Sequence, residues 1–451
     1  MFKQSTTLHI HVSNVSEDVW DFIQTISDKK ARQFEIDENA ELSDRDIFSF
    51  AKHDDVVLIL PKQLNTDFFS YFQKLFSKKN FNVIVPSQHS GEISLDIAAD
   101  NESFEVLVQK MKQYEHVQLT SYSASAEFYV LLESLQKFHT SIQTPESPKK
   151  KDAWSVDFFG SKTGIRQLAD HAGTPNFRTV EGYSTFGVDL AAHIASDLYD
   201  KEGAAVIKTN KGHAGAGVVL MRSGELKSND HVREIKQRLA DSYWEKFPIL
   251  IEQFVECDPR IGGGFPNSEF LVHKNGTVEF LYFCGMRVTK EGTFKGVEIG
   301  ESSLSKSVAK QIITAGYAIG EGLALYGYAG YYDVDCLASK SGKVYISESN
   351  VRRTGGTHVY HTALAMFGSE WMKETYALSN NSYTIASSKE FTFTTLYETL
   401  TPVLYNKDST EGVVIVAANP LHRNVFGYII FGKNKKRAYA IETRMEKLLG
   451  Q

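Results

Sequence analysis

Short apolar runs alternate with amphipathic segments through roughly the first 140 residues, and this alternation constrains the fold more than any other feature. The runs LHIHV, VVLIL at 56–60 and FNVIV at 81–85 have the length of buried strands, and FFSYFQKLFSKK before the last of them has helical spacing. Strands separated by amphipathic helices are typical of βαβ units, in which the strands are parallel. The pattern predicts an N-terminal α/β domain over residues 1–145, built on a small parallel sheet.

The remaining chain is long enough for further domains. Its 451 residues are about three times the usual size of one domain, and 42% of them are hydrophobic, which excludes a disordered chain. The segment SIQTPESPKKKD, rich in Ser, Pro and Lys, predicts a linker after the first domain. Beyond it we expect three α+β units, at residues 155–255, 256–378 and 385–451, the last of them a small C-terminal appendage.

Charge and cysteine content exclude several classes of protein. Lys and Arg number 49 against 55 Asp and Glu, a net charge of −6, which argues against a nucleic-acid binder. Cys257, Cys284 and Cys336 lack disulfide or zinc-ligand spacing, which favours a reducing compartment. The N-terminus lacks the apolar run of a signal peptide, and no stretch is apolar enough to span a membrane. We therefore expect a cytoplasmic protein with no membrane partner.

A predicted hairpin near residue 340 carries the clearest candidate metal site. Glu348 and Asn350 alternate along one strand and so project from one face, and Asp333 lies on the preceding strand. A turn at Ser341-Gly342 would bring Asp333 opposite residues 348–350 to within a residue or two. Two carboxylates and an amide oxygen suit Mg²⁺, which keeps open positions for phosphate oxygens and water. An ordinary solvated hairpin face is the alternative interpretation.

A glycine-rich segment supplies a candidate phosphate site. KGHAGAG at 211–217, which includes Gly215 and Gly217, follows Lys208 at the end of a predicted strand. Residues without side chains let backbone N–H groups approach phosphate oxygens, and a lysine would offset the phosphate charge. The segment matches neither a Walker A motif nor a dinucleotide fingerprint. A plain hairpin loop explains it equally well when it is taken alone.

The apolar strand ILIEQFVE at 249–256 could read an adenine edge with its terminal backbone groups. Glu269, which follows it in NSEF, could accept hydrogen bonds from ribose hydroxyls. A salt-bridged strand end is the alternative explanation for the acidic residues.

Taken in order, these elements resemble the ATP-grasp ligases over about residues 155–370. The resemblance rests on Lys162, Lys208 with its glycine-rich loop, IEQFV with Glu269, and Asp333 followed by the E-x-N-x-R string of residues 348–352. The string NVRRTGGTHVYHTA and the tail further resemble the pheganomycin-type peptide ligases. These have a pre-ATP-grasp domain before the ATP-grasp fold and a small C-terminal domain after it.

The resemblance implies a role for each motif residue. ATP would lie between two α+β subdomains, with Lys162 and Lys208 on its phosphates. The adenine would meet the backbone of Glu252 and Phe254, the ribose would meet Glu269, and the glycine-rich loop would close as a lid. A twelve-residue insert, ECDPRIGGGFPN, separates the adenine strand from Glu269, whereas many relatives have only a few residues there.

Mg²⁺ is implied on Asp333, Glu348 and Asn350. Arg352 is the candidate to hold a carboxylate or a developing oxyanion, because its planar fork binds such groups bidentately. Arg287 in FCGMRV is a second candidate for the carboxylate or acyl phosphate, and a salt bridge is the competing account of it.

The function that follows is an ADP-forming ligase that makes an amide from a carboxylate and an amine through an acyl phosphate, with ATP and Mg²⁺ required. The substrates expected are an amino acid-type carboxylate and an amino acid or peptide amine, and the resemblance is compatible with a homodimer. An ATP-binding regulatory or scaffold protein without turnover, and an acid-thiol ligase, are the alternatives. His358 and His361 lack a third metal ligand and are assigned to structure or to a substrate pocket.

Overall fold

The computed structural model describes residues 7–172, 178–212, 217–290, 292–386 and 389–450. The strands in these ranges are β1 Thr7–Val12, β2 Val56–Ile59, β3 Phe81–Ile84, β4 His116–Ser121, β5 Ile142–Gln143, β6 Arg178–Thr179, β7 Gly182–Thr185, β8 Ala205–Thr209, β9 Val218–Met221, β10 Ile249–Gln253, β11 Pro266–Val272, β12 Val278–Val288, β13 Phe294–Ile299, β14 Gly330–Ala338, β15 Val344–Glu348, β16 Tyr376–Thr384, β17 Gly412–Ala417 and β18 Val425–Gly432.

The α-helices in the same ranges are α1 Val15–Asp18, α2 Trp20–Ile23, α3 Lys29–Leu42, α4 Thr66–Phe76, α5 Ile93–Ala99, α6 Asn101–Met111, α7 Ala126–Gln136, α8 Trp154–Phe159, α9 Lys162–His171, α10 Val188–Glu202, α11 His231–Arg238, α12 Tyr243–Lys246, α13 Lys306–Leu325, α14 Thr357–Phe367, α15 Phe393–Leu400 and α16 Lys435–Leu448. A 3-10 segment, Ser43–Phe50, connects α3 towards β2.

The N-terminal unit is a five-stranded parallel sheet in the order β3-β2-β1-β4-β5, as the alternating pattern predicts. Both faces of the sheet are covered. Val56 and Leu58 of β2 pack into one hydrophobic core, and their neighbours Val57 and Ile59 pack into another. Successive side chains of a strand point to opposite faces, so a strand that is covered on both sides must be apolar throughout.

The second unit is a four-stranded antiparallel sheet in the order β7-β10-β8-β9, with α10 packed against β8 and β10. It has a small hydrophobic core of its own, which includes the buried Trp244. The strand pair predicted on either side of the glycine-rich segment is present as β8 and β9. Gly215 lies outside the described residues, whereas Gly217 immediately precedes β9 with a φ of 83° that favours glycine.

The third unit is a nine-stranded sheet in the order β17-β18-β16-β13-β12-β11-β14-β15-β6, against which α13 packs along β11 and β12. The predicted hairpin turning at Ser341-Gly342 is confirmed, since β14 and β15 pair antiparallel and Gly342 has a φ of 80°. The C-terminal residues extend this sheet. Strand β16 crosses the predicted boundary between the last two units, and β17 and β18 pair onto it, so residues 385–451 share the sheet and core of the unit before them.

The predicted linker is packed against the rest of the molecule. It contains β5 at the edge of the first sheet and a fully buried Ser147. Glu146 forms an ion pair with Arg353, at 2.8 Å. The linker therefore contributes to the contact between the N-terminal unit and the nine-stranded sheet. Among the described residues, no helix is long and apolar enough to cross a membrane.

Candidate functional site

The carboxylates of the β14–β15 hairpin form the centre of the site. Asp335 is the cross-strand partner of Glu348, and the backbone N–H of Asp333 donates to the carbonyl of Asn350 at 3.0 Å. Asp333 and Asp335 are two residues apart on one strand, so their side chains share a face. The structure therefore brings together the three residues predicted to hold the metal, and adds Asp335 to them.

Two asparagine amides lie between the aspartates of the hairpin. The Nδ2 of Asn267 donates to Asp333 at 3.0 Å and to Asp335 at 2.5 Å. The Nδ2 of Asn350 donates to Asp333 at 3.1 Å and to Asp335 at 3.2 Å. Hydrogen bonds from both amides thus hold two buried carboxylates side by side. The Oδ1 of Asn350 accepts from Arg352 at 3.0 Å, so this amide has to turn over before its oxygen can bind a cation beside the aspartates.

This cluster concentrates negative charge in a buried place. Burial raises the pKa of Asp335 well above its usual value, and the charges of Asp333 and Glu348 add to the shift. Burial also raises the pKa of Asp333. By contrast, the charge of Lys162 lowers the pKa of Glu348. A cation bound at the aspartates would stabilise their ionised forms against burial, which is the main cause of their raised pKa values.

Whether the cluster fits Mg²⁺ depends on its donors. In the described part of the chain, no three Asp, Glu, His or Cys side chains are arranged as a ready metal site. Mg²⁺ does not require one, because it is usually bound by one or two carboxylates together with substrate phosphates and water. The hard oxygen donors of Asp333, Asp335 and Glu348 fit an ion that arrives with phosphates.

Two lysines from different units face this hairpin. The Nζ of Lys162, the first residue of α9, lies 2.8 Å from an Oε of Glu348. The Nζ of Lys208, on β8, lies 2.8 Å from Glu252 and donates to the Oγ of Ser347 at 3.1 Å. Both cations therefore stand where the four-stranded sheet meets the nine-stranded sheet.

Glu252 and Phe254 lie at the end of β10, and Glu252 does more than terminate a strand. Its side chain is 3% exposed and pairs with Lys208 through one oxygen and with Arg166 through the other, at 2.6 Å. The ring of Phe254 lies 5.7 Å from the guanidinium of Arg222. The salt-bridged alternative thus describes the Glu252 side chain, and the adenine contact predicted for the backbone of both residues stays a prediction.

Arg352 connects the hairpin to the N-terminal unit. Its guanidinium donates to the hydroxyl of Tyr122 at 2.9 Å and to Asn350, and it forms an ion pair with Asp18. It also lies over the Tyr122 ring, 5.2 Å from the centroid. The guanidinium is thereby held in one orientation beside the carboxylate cluster.

Glu269 faces the protein interior. It is cross-strand to Asp333 and fully buried, and its two oxygens accept from the hydroxyls of Tyr282, Thr354 and Thr357, each at 2.6 Å. Burial raises its pKa to about 7, although the three hydroxyls oppose the shift. In this arrangement Glu269 anchors the loop that follows Arg352, and its predicted contact with ribose stays a prediction.

Arg287 lies apart from the hairpin cluster. Its guanidinium donates to Glu442 of α16 at 2.8 Å and to the carbonyl of Ser379 at 3.0 Å. Of the two accounts given for Arg287, the salt bridge is the one that matches its contacts, and its partner belongs to the C-terminal helix.

Of the two histidines of α14, His358 is buried and His361 is half-buried. His361 is hydrogen bonded to the hydroxyl of Tyr331 at 2.8 Å, whereas neither ring nitrogen of His358 has a partner among the described residues.

Sequence reasoning missed several residues of the site. Asp335 alternates with Asp333 in DVDC, and that spacing is the signal that could have identified it. Asn267, Tyr122 and Asp18 have no comparable signal, because Asp18 and Arg352, for instance, are 334 positions apart in the chain.

No protein-family model matches the sequence, and no curated protein matches it. Solved structures do match the fold. A biotin carboxylase from Campylobacter jejuni with an ATP analogue is 11% identical with a TM-score of 0.57, over 96% of this chain and 89% of that one. An N5-carboxyaminoimidazole synthetase from Staphylococcus aureus with ADP is 11% identical with a TM-score of 0.53, over 99% and 98%. The corresponding enzyme from Aspergillus clavatus with ATP is 12% identical with a TM-score of 0.53, over 87% and 97%.

These likenesses extend over nearly the whole chain, including the N-terminal unit. They confirm the predicted ATP-grasp fold preceded by an N-terminal α/β domain. The finer likeness to pheganomycin-type peptide ligases stays a prediction.

Proposed function

We propose that the protein is an ATP-dependent ligase that joins a carboxylate to an amine through an acyl phosphate and releases ADP and phosphate. The observation that carries the proposal is that Lys162 pairs with Glu348 and Lys208 contacts Ser347 of the same strand, where two sheets meet. The buried Asp333 and Asp335 lie on the strand paired with it. Neighbours with the same fold are complexes with ATP, an ATP analogue or ADP.

The groups at the junction suit the demands of phosphoryl transfer. This reaction asks the protein for position and charge compensation, with little covalent work. Lys162 and Lys208 would bind the phosphates, and Asp333, Asp335 and Glu348 would hold Mg²⁺. When bound, the ion would offset charge on the phosphate oxygens. Lys162 is now paired with Glu348, and Lys208 with Glu252. When ATP binds, its phosphates would replace these carboxylates as partners of the two lysines.

A substrate carboxylate oxygen would attack the γ-phosphorus, forming an acyl phosphate as ADP leaves. The amine nitrogen would then attack the acyl carbon, forming the amide as phosphate leaves and the nitrogen releases a proton. Arg352 can stabilise the oxyanion of that second step, because Asp18 and Tyr122 already fix its orientation. We propose an amino acid-type carboxylate as the donor, and as acceptor an amino acid or a peptide.

The glycine-rich segment is proposed to cover the reacting groups, since an acyl phosphate hydrolyses when it is exposed to water. Lys211, at the start of that segment, contacts Asp21 of the N-terminal unit at 3.2 Å and also contacts Asp157. A second contact joins the four-stranded unit to the N-terminal unit, because the hydroxyl of Ser242 donates to the carbonyl of Thr25. These contacts can hold the lid against the N-terminal unit.

The test is ADP formation from Mg-ATP with pooled amino acids and short peptides, with product masses read by mass spectrometry. The wild type should form ADP only when substrates are present. The mass of the product should equal the sum of the two substrate masses minus one water. The double variant Glu348→Gln with Asn350→Ala should lower the rate of ADP formation at least tenfold. Loss of a residue that only supports a metal ligand already costs about 10- to 100-fold in activity. Glu256→Gln, an exposed carboxylate in the same unit, is the matched control. Turnover in the double variant equal to the wild type would refute the assignment of the metal site.

A further inference from the structure

A buried polar cluster lies between the N-terminal sheet and α14, outside the carboxylate hairpin. We call it the Arg45 cluster, and it consists of Arg45, Asp46, His358, His11 and Ser13. Arg45 and Asp46 come from the 3-10 segment Ser43–Phe50, against which α14 packs, and His358 is the second residue of α14. All five residues are at least nine-tenths buried.

The cluster leaves an unusual number of polar atoms without a partner. Within the described part of the chain, the guanidinium of Arg45 makes no hydrogen bond and no ion pair, although the residue as a whole is only 9% exposed. In the same part of the chain, the Oδ2 of Asp46, the Oγ of Ser13 and both ring nitrogens of His358 also have no partner. The Nε2 of His11 lies 3.9 Å from Asp46, which is too far for a hydrogen bond.

Such atoms are costly, because each unsatisfied buried polar group costs about 1–3 kcal/mol. In folded proteins such groups are usually satisfied by ordered water, an ion or a ligand. The neighbouring Asp44 shows what the segment uses for structure, since its Oδ2 accepts from the backbone N–H groups of Ala418 and Asn419 at 2.6 and 2.8 Å. Asp44 thus fixes the segment, while Arg45 and Asp46 remain available to a ligand.

The available groups carry opposite charges. Burial alone would raise the pKa of Asp46, but His11 and Arg45 hold it below its usual value, so the carboxylate is ionised. Burial lowers the pKa of His358 to about 3, and the charge of Arg45 adds to that shift, so the imidazole is neutral. The cation of Arg45 and the anion of Asp46, beside the neutral imidazole of His358, match a zwitterion, which carries one negative and one positive group.

The cluster is continuous with the proposed reaction site. Tyr122 is buried beside it, because its backbone N–H donates to the carbonyl of Val12, the neighbour of Ser13, at 3.0 Å. The phenol of Tyr122 accepts from Arg352, which donates in turn to Asn350 of the hairpin. Tyr122 therefore lies between the cluster, at Ser13, and the arginine that faces the carboxylate hairpin.

We propose that the Arg45 cluster binds a free α-amino acid, with its carboxylate on Arg45 and its amino group on Asp46. A guanidinium binds a carboxylate bidentately, which gives orientation as well as affinity. A carboxylate held in this way is a recognition group and is not the one activated by ATP. The inference rests on the proposed ligase function, and it assigns the bound amino acid the part of the amine substrate.

The experiment is isothermal titration calorimetry on the whole chain, with each common L-α-amino acid as the probe, with and without Mg-ADP. At least one free amino acid should bind. Its α-amide, which lacks the carboxylate charge, and its N-acetyl derivative, which lacks the amino charge, should each bind at least tenfold more weakly. Because these comparisons use the wild type, they do not depend on how any variant folds.

Variants then assign the binding to the cluster. Arg45→Gln should weaken the amino acid at least tenfold, and Arg45→Lys should fall between it and the wild type. Arg260→Gln, an arginine whose side chain is 85% exposed, should leave the affinity unchanged. The inference is overturned if no free amino acid binds, if the amide binds as tightly as the acid, or if a folded Arg45→Gln binds like the wild type.

The same titrations separate this inference from the ligase proposal. Nucleotide binding and substrate-dependent ADP formation without any amino acid bound at the Arg45 cluster would overturn the inference and keep the ligase. Arg45-dependent binding of an amino acid without any ADP formation would keep the cluster as a binding site and overturn the ligase.

Discussion

Protonation of Glu269 should make the free energy of unfolding of this protein depend on pH, and the substitution Glu269→Gln should remove that dependence. The carboxyl is fully buried, and burial raises its pKa from 4.5 to about 7, while the hydroxyls of Tyr282, Thr354 and Thr357 oppose the shift. Between these values the folded chain keeps a proton that the unfolded chain has released. The contribution of Glu269 to stability is therefore greatest below pH 4.5, falls as the pH rises, and is constant above pH 7.

The size of the effect follows from the shift. About 2.5 pKa units at roughly 1.4 kcal/mol each correspond to about 3 kcal/mol of unfolding free energy between pH 4.5 and pH 7. Glu269→Gln cannot titrate, so the variant should lose about 3 kcal/mol less than the wild type over that interval. Any hydrogen-bond cost of the amide does not change with pH and cancels in this comparison.

The assay is urea unfolding of wild type and Glu269→Gln at half-unit steps from pH 4.5 to pH 8. Glu256→Gln, whose side chain is 67% exposed, is the matched control and should follow the wild type. Identical pH dependence in Glu269→Gln and wild type would refute the reasoning. If the affinity for ATP fell in the variant at the same time, the ribose contact predicted from the sequence would be favoured instead.

Two further substitutions test the hairpin and the lid. Asp335→Asn removes a carboxyl whose charge Asp333 and Glu348 repel, so the melting temperature at neutral pH should be no lower than that of the wild type. Calorimetry should show that the variant binds Mg-nucleotide at least tenfold more weakly. A large fall in melting temperature with unchanged binding would contradict this prediction. Lys211→Met removes the contacts with Asp21 and Asp157. Because exposed ion pairs contribute about 0.2–1 kcal/mol, the KM for ATP should rise by up to about fivefold, and amide hydrogen exchange at residues 217–221 should become faster. Unchanged exchange at those residues would exclude the lid contact.

The parts of the site that could be predicted from the sequence are those set by local pairing. The β14–β15 hairpin brings Asp333, Glu348 and Asn350 together because a turn and the two-residue period of a strand fix which side chains share a face. The βαβ pattern likewise predicts that the first sheet is parallel, since its strands are short apolar runs separated by helices.

The remaining features depend on contacts between residues far apart in the chain. Arg287 reads as a candidate for catalysis until α16 brings Glu442 to it, across 155 positions. The burial of Glu269 among three hydroxyls cannot be predicted from its strand alone, because it depends on the packing of β11 under the loop after Arg352. No periodicity marks Arg45 as an arginine without a partner among the described residues, since its environment comes from α14, more than three hundred positions later.

The central claim is that phosphates of a nucleotide bind where the four-stranded sheet meets the β14–β15 hairpin. A crystal structure of the protein soaked with Mg²⁺ and a non-hydrolysable ATP analogue tests it most directly. The account predicts phosphate oxygens on the ammonium groups of Lys162 and Lys208, with a cation on the carboxylates of Asp333, Asp335 and Glu348. A nucleotide bound elsewhere, or a saturated crystal in which both lysines keep Glu348 and Glu252 as their only partners, would contradict it.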